Sequence, residues 1–133
     1  MGPAGVRQAS NTNANDTFGS GLALSSNGST LAVGAALEDS KAIGLDGDQS
    51  DNSSANSGAA YVLTRNGTTW SHKSYVKATN TDPADQFGYG LSLSGDGLTL
   101  AASAPAEDSS AVGVDGDQSS NATADSGAAY VYR

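Results

Sequence analysis

The chain repeats itself, with a period long enough to limit what it can fold into. Shifted by 69 residues, residues 6–64 lie on residues 75–133 without a gap, and about 33 of the 59 aligned pairs are identical. Phe18-Gly19 falls on Phe87-Gly88, and Asp46-Gly47-Asp48-Gln49-Ser50 falls on Asp115-Gly116-Asp117-Gln118-Ser119. Ser57-Gly58-Ala59-Ala60-Tyr61-Val62 returns as Ser126-Gly127-Ala128-Ala129-Tyr130-Val131. Tandem units of this kind stack on one another, because one unit alone cannot bury its apolar face.

Each copy reads as four strands. The first copy predicts strands over 18–25, 30–35, 58–65 and 69–78, with a long polar stretch, 36–57, between the second and third. Asn27-Gly28 and Asn66-Gly67 are expected to close the hairpins as tight type I′ turns, since both residue types tolerate positive φ. Low hydrophobicity with a net charge of −8 leans toward disorder. The apolar residues, however, fall in short runs between turn formers, which is the texture of strands. No window carries a helical period. The runs are nearly continuous and rich in Ala and Gly, as expected where both faces of a sheet are covered. The reading is an all-β chain of two four-stranded β-propeller blades. A two-sheet sandwich is the alternative, but it does not require the repeat.

Phe18-Gly19 followed by Ala32-Val33-Gly34-Ala35-Ala36 resembles the FG-GAP signature of integrin α-chain propellers and their bacterial relatives. The second copy reads Phe87-Gly88 and then Ala101-Ala102-Ser103-Ala104-Pro105. It departs from the signature at Ala36, where the family has Pro, and at Ser103, where it has Gly. Small residues there let backbones approach closely where blades crowd. The resemblance implies a non-enzymatic binding or scaffold module, adhesion-like, at the cell surface or outside the cell.

The repeat also divides the chain. Residues 1–5 read as a leader, 6–12 as part of an outer strand, 13–78 as one blade, and 79–133 as a second blade without its outer strand. Two blades cannot close a ring, and an unpaired strand edge is a template for pairing. A head-to-tail homo-oligomer with N-terminal strand exchange would resolve this, as a trimer of six blades or a tetramer of eight. The other resolution is a piece excised or engineered from a longer propeller, with no ligand of its own.

The charge pattern narrows the partners. Six Lys and Arg against 14 Asp and Glu argue against nucleic acid. No apolar run is long enough to span a membrane as a helix, and the first residues carry no signal-peptide pattern. With no cysteine, disulfide and thiolate chemistry are excluded. Ten of the acids lie in the two long loops: Glu38, Asp39, Asp46, Asp48, Asp51, Glu107, Asp108, Asp115, Asp117 and Asp125. Calcium takes six to eight oxygen ligands and would relieve that repulsion. Asp46, Asp48, Ser50 and Asn52 place oxygens at alternate positions, as do Asp115, Asp117, Ser119 and Asn121. Those eight are the candidate metal ligands, with Glu38, Asp39, Asp51, Glu107, Asp108 and Asp125 as further acidic ones. The bland alternative is that Asp and Asn are good turn residues.

Nothing points to catalysis. His72 is the single histidine and has no counterpart in the other copy. No serine lies in a G-x-S-x-G elbow. The acid pairs Glu38/Asp39 and Glu107/Asp108 could serve a glycosidase, but their duplication favours a structural role. Trp70 and Tyr75 offer a stacking face for sugar, so a multivalent lectin with glycan ligands is the second functional class beside a protein-binding scaffold.

Overall fold

A computed structural model describes residues 5–133. Seven strands form, β1 (Phe18–Leu24), β2 (Thr30–Ala35), β3 (Ala59–Asn66), β4 (Thr69–Val76), β5 (Leu91–Leu93), β6 (Leu100–Ala104) and β7 (Ala128–Tyr132). They make two antiparallel sheets, ordered β1-β2-β3-β4 and β5-β6-β7. No helix occurs among the described residues. The chain is therefore all-β, with one sheet per copy of the repeat. The expected leader, residues 1–5, lies outside the described residues apart from Gly5, and residues 6–12 belong to no strand.

The first sheet matches the predicted strands to within two residues at each end. The second differs at its start, where β5 spans Leu91–Leu93 although the repeat predicts a strand from Phe87. The reason is a competing partner. Phe87 bridges Gly58 of the first sheet in parallel, and its amide donates to the Ser57 carbonyl at 2.9 Å. Phe87 is thus held by the first copy, while Gly88 and Gly90 bond to Ser103 of β6 without continuing the regular ladder.

The hairpin turns differ from the type I′ expectation. Gly28 and Gly67 have φ of 65° and 59°, but neither Asn27 nor Asn66 has positive φ. Asn27 instead turns its side chain inward, its Oδ1 accepting from the Ser29 amide and the Ser25 hydroxyl, both at 2.9 Å. That Asx arrangement holds Asn27 right-handed and leaves only the glycine in the left-handed region. In the β3–β4 hairpin Asn66 pairs with Thr69, so the loop is Gly67-Thr68 with glycine first, the pattern of a type II′ turn.

The sheets pack face to face. Ala32, Ala60, Val76 and Ala78 meet Phe87, Leu100, Ala102, Ala104 and Tyr130 in one shared core. Phe87 is fully buried there, worth about 2 kcal/mol or more. The close approach is set by glycine: a Cβ on Gly34 would lie 2.0 Å from the Gly88 carbonyl oxygen. On the other face of the first sheet, Val33, Ala35, Tyr61, Leu63 and Tyr75 form a second core. Phe18 meets Tyr61 edge-on there at 5.3 Å, just as Phe87 meets Tyr130 at 5.4 Å in the second sheet.

Candidate functional site

Each long loop starts from a buried carboxylate. Glu38 and Glu107 follow β2 and β6 and are 0% and 2% exposed, so neither belongs to the solvated loop where the sequence placed them. Asn11 Nδ2 donates to Glu38 Oε1 at 2.8 Å, and Asn80 Nδ2 donates to Glu107 Oε1 at 2.8 Å. The hydroxyls of Tyr61 and Tyr130 donate to Oδ1 of the same two asparagines. Ser57 Oγ donates to the Ser40 carbonyl at 3.0 Å, and Ser126 Oγ to the Ser109 carbonyl at 2.8 Å. This polar network anchors both ends of each loop, because a buried carboxylate left unbonded is costly.

The copies differ at one place. Glu38 Oε2 accepts from Lys77 Nζ at 3.0 Å and from Ser40 Oγ at 3.1 Å, whereas Glu107 Oε2 has no hydrogen-bond partner among the described residues. Lys77 also donates to Ser57 Oγ at 2.7 Å. Burial pulls the Lys77 ammonium below the ordinary lysine range, and the Glu38 charge works against that shift.

The neighbouring carboxylates clamp backbone. Asp39 Oδ1 accepts from the Asn56 amide at 2.7 Å, and Asp108 Oδ1 from the Asp125 amide at 2.7 Å. Asn56 and Asp125 carry positive φ, 55° and 53°. Asp16 and Asp85, directly upstream of the Phe-Gly pairs, are buried and accept from the Asn13 and Asp82 amides. Burial raises both carboxyls. Asp85 is pushed up to about 6 by desolvation first, with the Asp82, Glu107 and Asp108 charges adding to it and the Asp82 amide opposing. Asp16 shifts the same way, from burial first and then from Glu38 and Asp39.

The alternating sets at the loop tips do local work. Asp46 Oδ1 accepts from the Tyr75 amide at 2.8 Å. Asp48 Oδ1 accepts from the Ser50 amide at 2.8 Å and from its hydroxyl, and Asp117 Oδ1 accepts from the Ser119 amide at 2.9 Å. Those serine bonds hold the Asp48 and Asp117 carboxyls below the usual range. Asp51 Oδ1 accepts from the Ser53 amide at 2.9 Å. Asn52, Asp115 and Asn121 are exposed, and Asn121 Nδ2 donates to Asp82 Oδ2 at 3.1 Å. Among the described residues, no group of three or more His, Cys, Asp or Glu side chains is arranged to hold a metal ion.

The aromatic pair proposed as a sugar platform is split. Tyr75 is 3% exposed, its hydroxyl on Ser40, and the Trp70 ring lies under the Arg65 guanidinium at 5.8 Å. His72 is exposed on β4 and meets Tyr61 edge-on at 6.3 Å.

Sequence reasoning missed Asn11/Asn80, Ser57/Ser126 and Tyr61/Tyr130 as a network around the two glutamates, and Asp16/Asp85 as buried acids beside it. Their signal was identity between the copies at polar positions outside the acidic loop tips. Lys77 gave no such signal, since its counterpart is Gln8.

No family model, no curated protein and no solved structure matches the chain.

Proposed function

We propose that the chain is a non-enzymatic scaffold and binding module made of two β-propeller blades of the FG-GAP kind. Each sheet is one blade, and the two long loops form an adhesion-like recognition rim for a protein ligand. One observation carries the reading: the same polar network anchors both loops, so a single presentation device occurs twice, side by side. A catalytic centre calls for one unique constellation, and duplication supplies pairs instead. Two equivalent rims suit multivalent contact, in which the second binding event becomes intramolecular.

The test probes immobilised extracellular proteins and a glycan array with labelled chain, each with calcium and with chelator. The reading expects protein binding that weakens when Asp48 and Asp117 are changed to Asn. Glycan binding that ignores those changes would replace it with the lectin reading. Turnover of any substrate in the panel would replace it with an enzyme.

A further inference from the structure

In the first sheet, residues 75–78 are gripped from two sides. On one side Tyr75 and Val76 pair with Tyr61 and Ala60 of β3. On the other, the Asp46 amide donates to the Tyr75 carbonyl at 2.8 Å, the Lys77 amide to the Gly44 carbonyl at 2.8 Å, and the Gly44 amide to the Ala78 carbonyl at 3.2 Å. Lys77 then reaches inward to Glu38.

Among the described residues, the second sheet has both walls of this slot and no strand between them. β7 forms one side and residues 113–116 the other, enclosing a groove of about 890 Å³ that reaches Ser109 and Tyr130. Nearby, Glu107 Oε2 is buried without a hydrogen-bond partner among the described residues. The apolar surface tells the same story. Val131, Leu22 and Leu24 are 61%, 65% and 59% exposed. Their repeat counterparts, Val62, Leu91 and Leu93, are packed against the core between the sheets.

The chain contains a counterpart of the filling segment. Residues 6–9 are the repeat equivalents of 75–78. They lead away from Asn11 as 75–78 lead away from Asn80, and both asparagines hold their glutamate and tyrosine in the same way. Val6 is 86% exposed, and Gln8 is exposed too.

We propose that a second copy of this chain docks into that groove. Its residues 6–9 run between β7 and residues 113–116, and its Gln8 takes the position of Lys77, donating its side-chain amide to Glu107 Oε2. Its Leu22 and Leu24 cover Val131. The contact is head-to-tail, so it closes into a ring of three or four copies once the rotation per blade is satisfied. Ser103 stands where Gly34 stands within the chain, and a Cβ on Gly34 would lie 2.0 Å from the Gly88 oxygen. The junction between copies is therefore wider than the junction within one. The inference rests on reading the sheets as blades.

Light scattering on the full chain tests it, with an expected mass three or four times the 13.1 kDa of one copy. Gln8→Lys, which rebuilds the lysine–glutamate pair between copies, should let the oligomer persist to about ten-fold lower concentration, since charge-assisted hydrogen bonds are the stronger ones. Ser103→Gly should act in the same direction. Both substitutions lie outside the network that anchors the loops, but Ser103→Gly also removes the hydroxyl that accepts from the Gly90 amide at 2.9 Å, so its melting temperature is read beside its mass. By the observed pairing of Val62 with Ser74, Val131 should face Gly5 of the neighbour. Chains carrying only Gly5→Cys, mixed with chains carrying only Val131→Cys, should form a mixed disulfide, and Leu98→Cys should not replace the latter. A monomer at every concentration would overturn the proposal. So would an oligomer that Gln8→Lys and Ser103→Gly leave unchanged and that does not cross-link at Gly5 and Val131. The mass is read without any ligand, and the ligand panel is read whatever the mass, so assembly and recognition fail separately.

Discussion

Lys77 Nζ and Glu38 Oε2 meet at 3.0 Å, both side chains wholly buried, although they stand 39 positions apart in the chain. Two opposite charges in such a place are held by geometry rather than by water. Removing one partner leaves an uncompensated charge in the interior, whereas removing both leaves none. Lys77→Met should therefore cost about 3–5 kcal/mol in denaturant unfolding. Lys77→Met combined with Glu38→Leu should recover a large part of that loss. Equal losses in the single and double variants would show that the pair is not coupled.

Asp85 sets a pH dependence. Its carboxyl is raised to about 6 from 3.8, so the folded state binds the proton more tightly than the unfolded chain does. Its contribution to stability is complete below about pH 4 and is lost as pH rises through 6. Asp85→Asn keeps an oxygen for the Asp82 amide and removes the charge. It should raise the melting temperature at pH 7.5 and leave it nearly unchanged at pH 4. A variant that melts lower at pH 7.5 would argue that the ionised carboxylate is needed.

Gly34 controls the spacing of the sheets. Gly34→Ala places a methyl against the Gly88 carbonyl, a backbone atom that cannot swing aside. A loss of about 2–3 kcal/mol is expected, as for other overpacked interiors. Gly44→Ala is the control, since nothing lies within 4 Å but its φ is +65°. That change should cost only about 1 kcal/mol, from backbone strain. If the two cost the same, close approach is not what selects glycine at 34.

Chelation should leave the melting temperature unchanged. The carboxylates of Asp46, Asp48, Asp51 and Asp117 already accept from backbone amides, so the loops close without an ion. A calcium-dependent rise of several degrees would instead place a metal in the loops, by mass action on the folded state.

Much of the fold was legible because it rests on periodicity. Phe18–Leu24, Thr30–Ala35 and Ala59–Asn66 fall where alternating turns and apolar runs put them. The duplication gave one sheet per copy. The turn types were not legible, because the choice between Asn27 and its own side chain is a hydrogen-bond competition that residue identity leaves open. The roles of the acids were hardest to see. Glu38 and Asp48 look alike in sequence, yet one is buried on a lysine and the other caps an exposed serine. What separates them is Lys77, which lies 39 positions from Glu38 and is unmatched in the other copy.

The bond between Lys77 and Glu38 ties the segment after β4 back to the start of the long loop after β2. Both residues fall within 13–78, a segment shorter than the 69-residue period, so the first sheet and its buried ion pair belong to one stretch of chain. Among the described residues Glu107 is held through Asn80 and not by a lysine, so the two loops start from anchors of unequal strength.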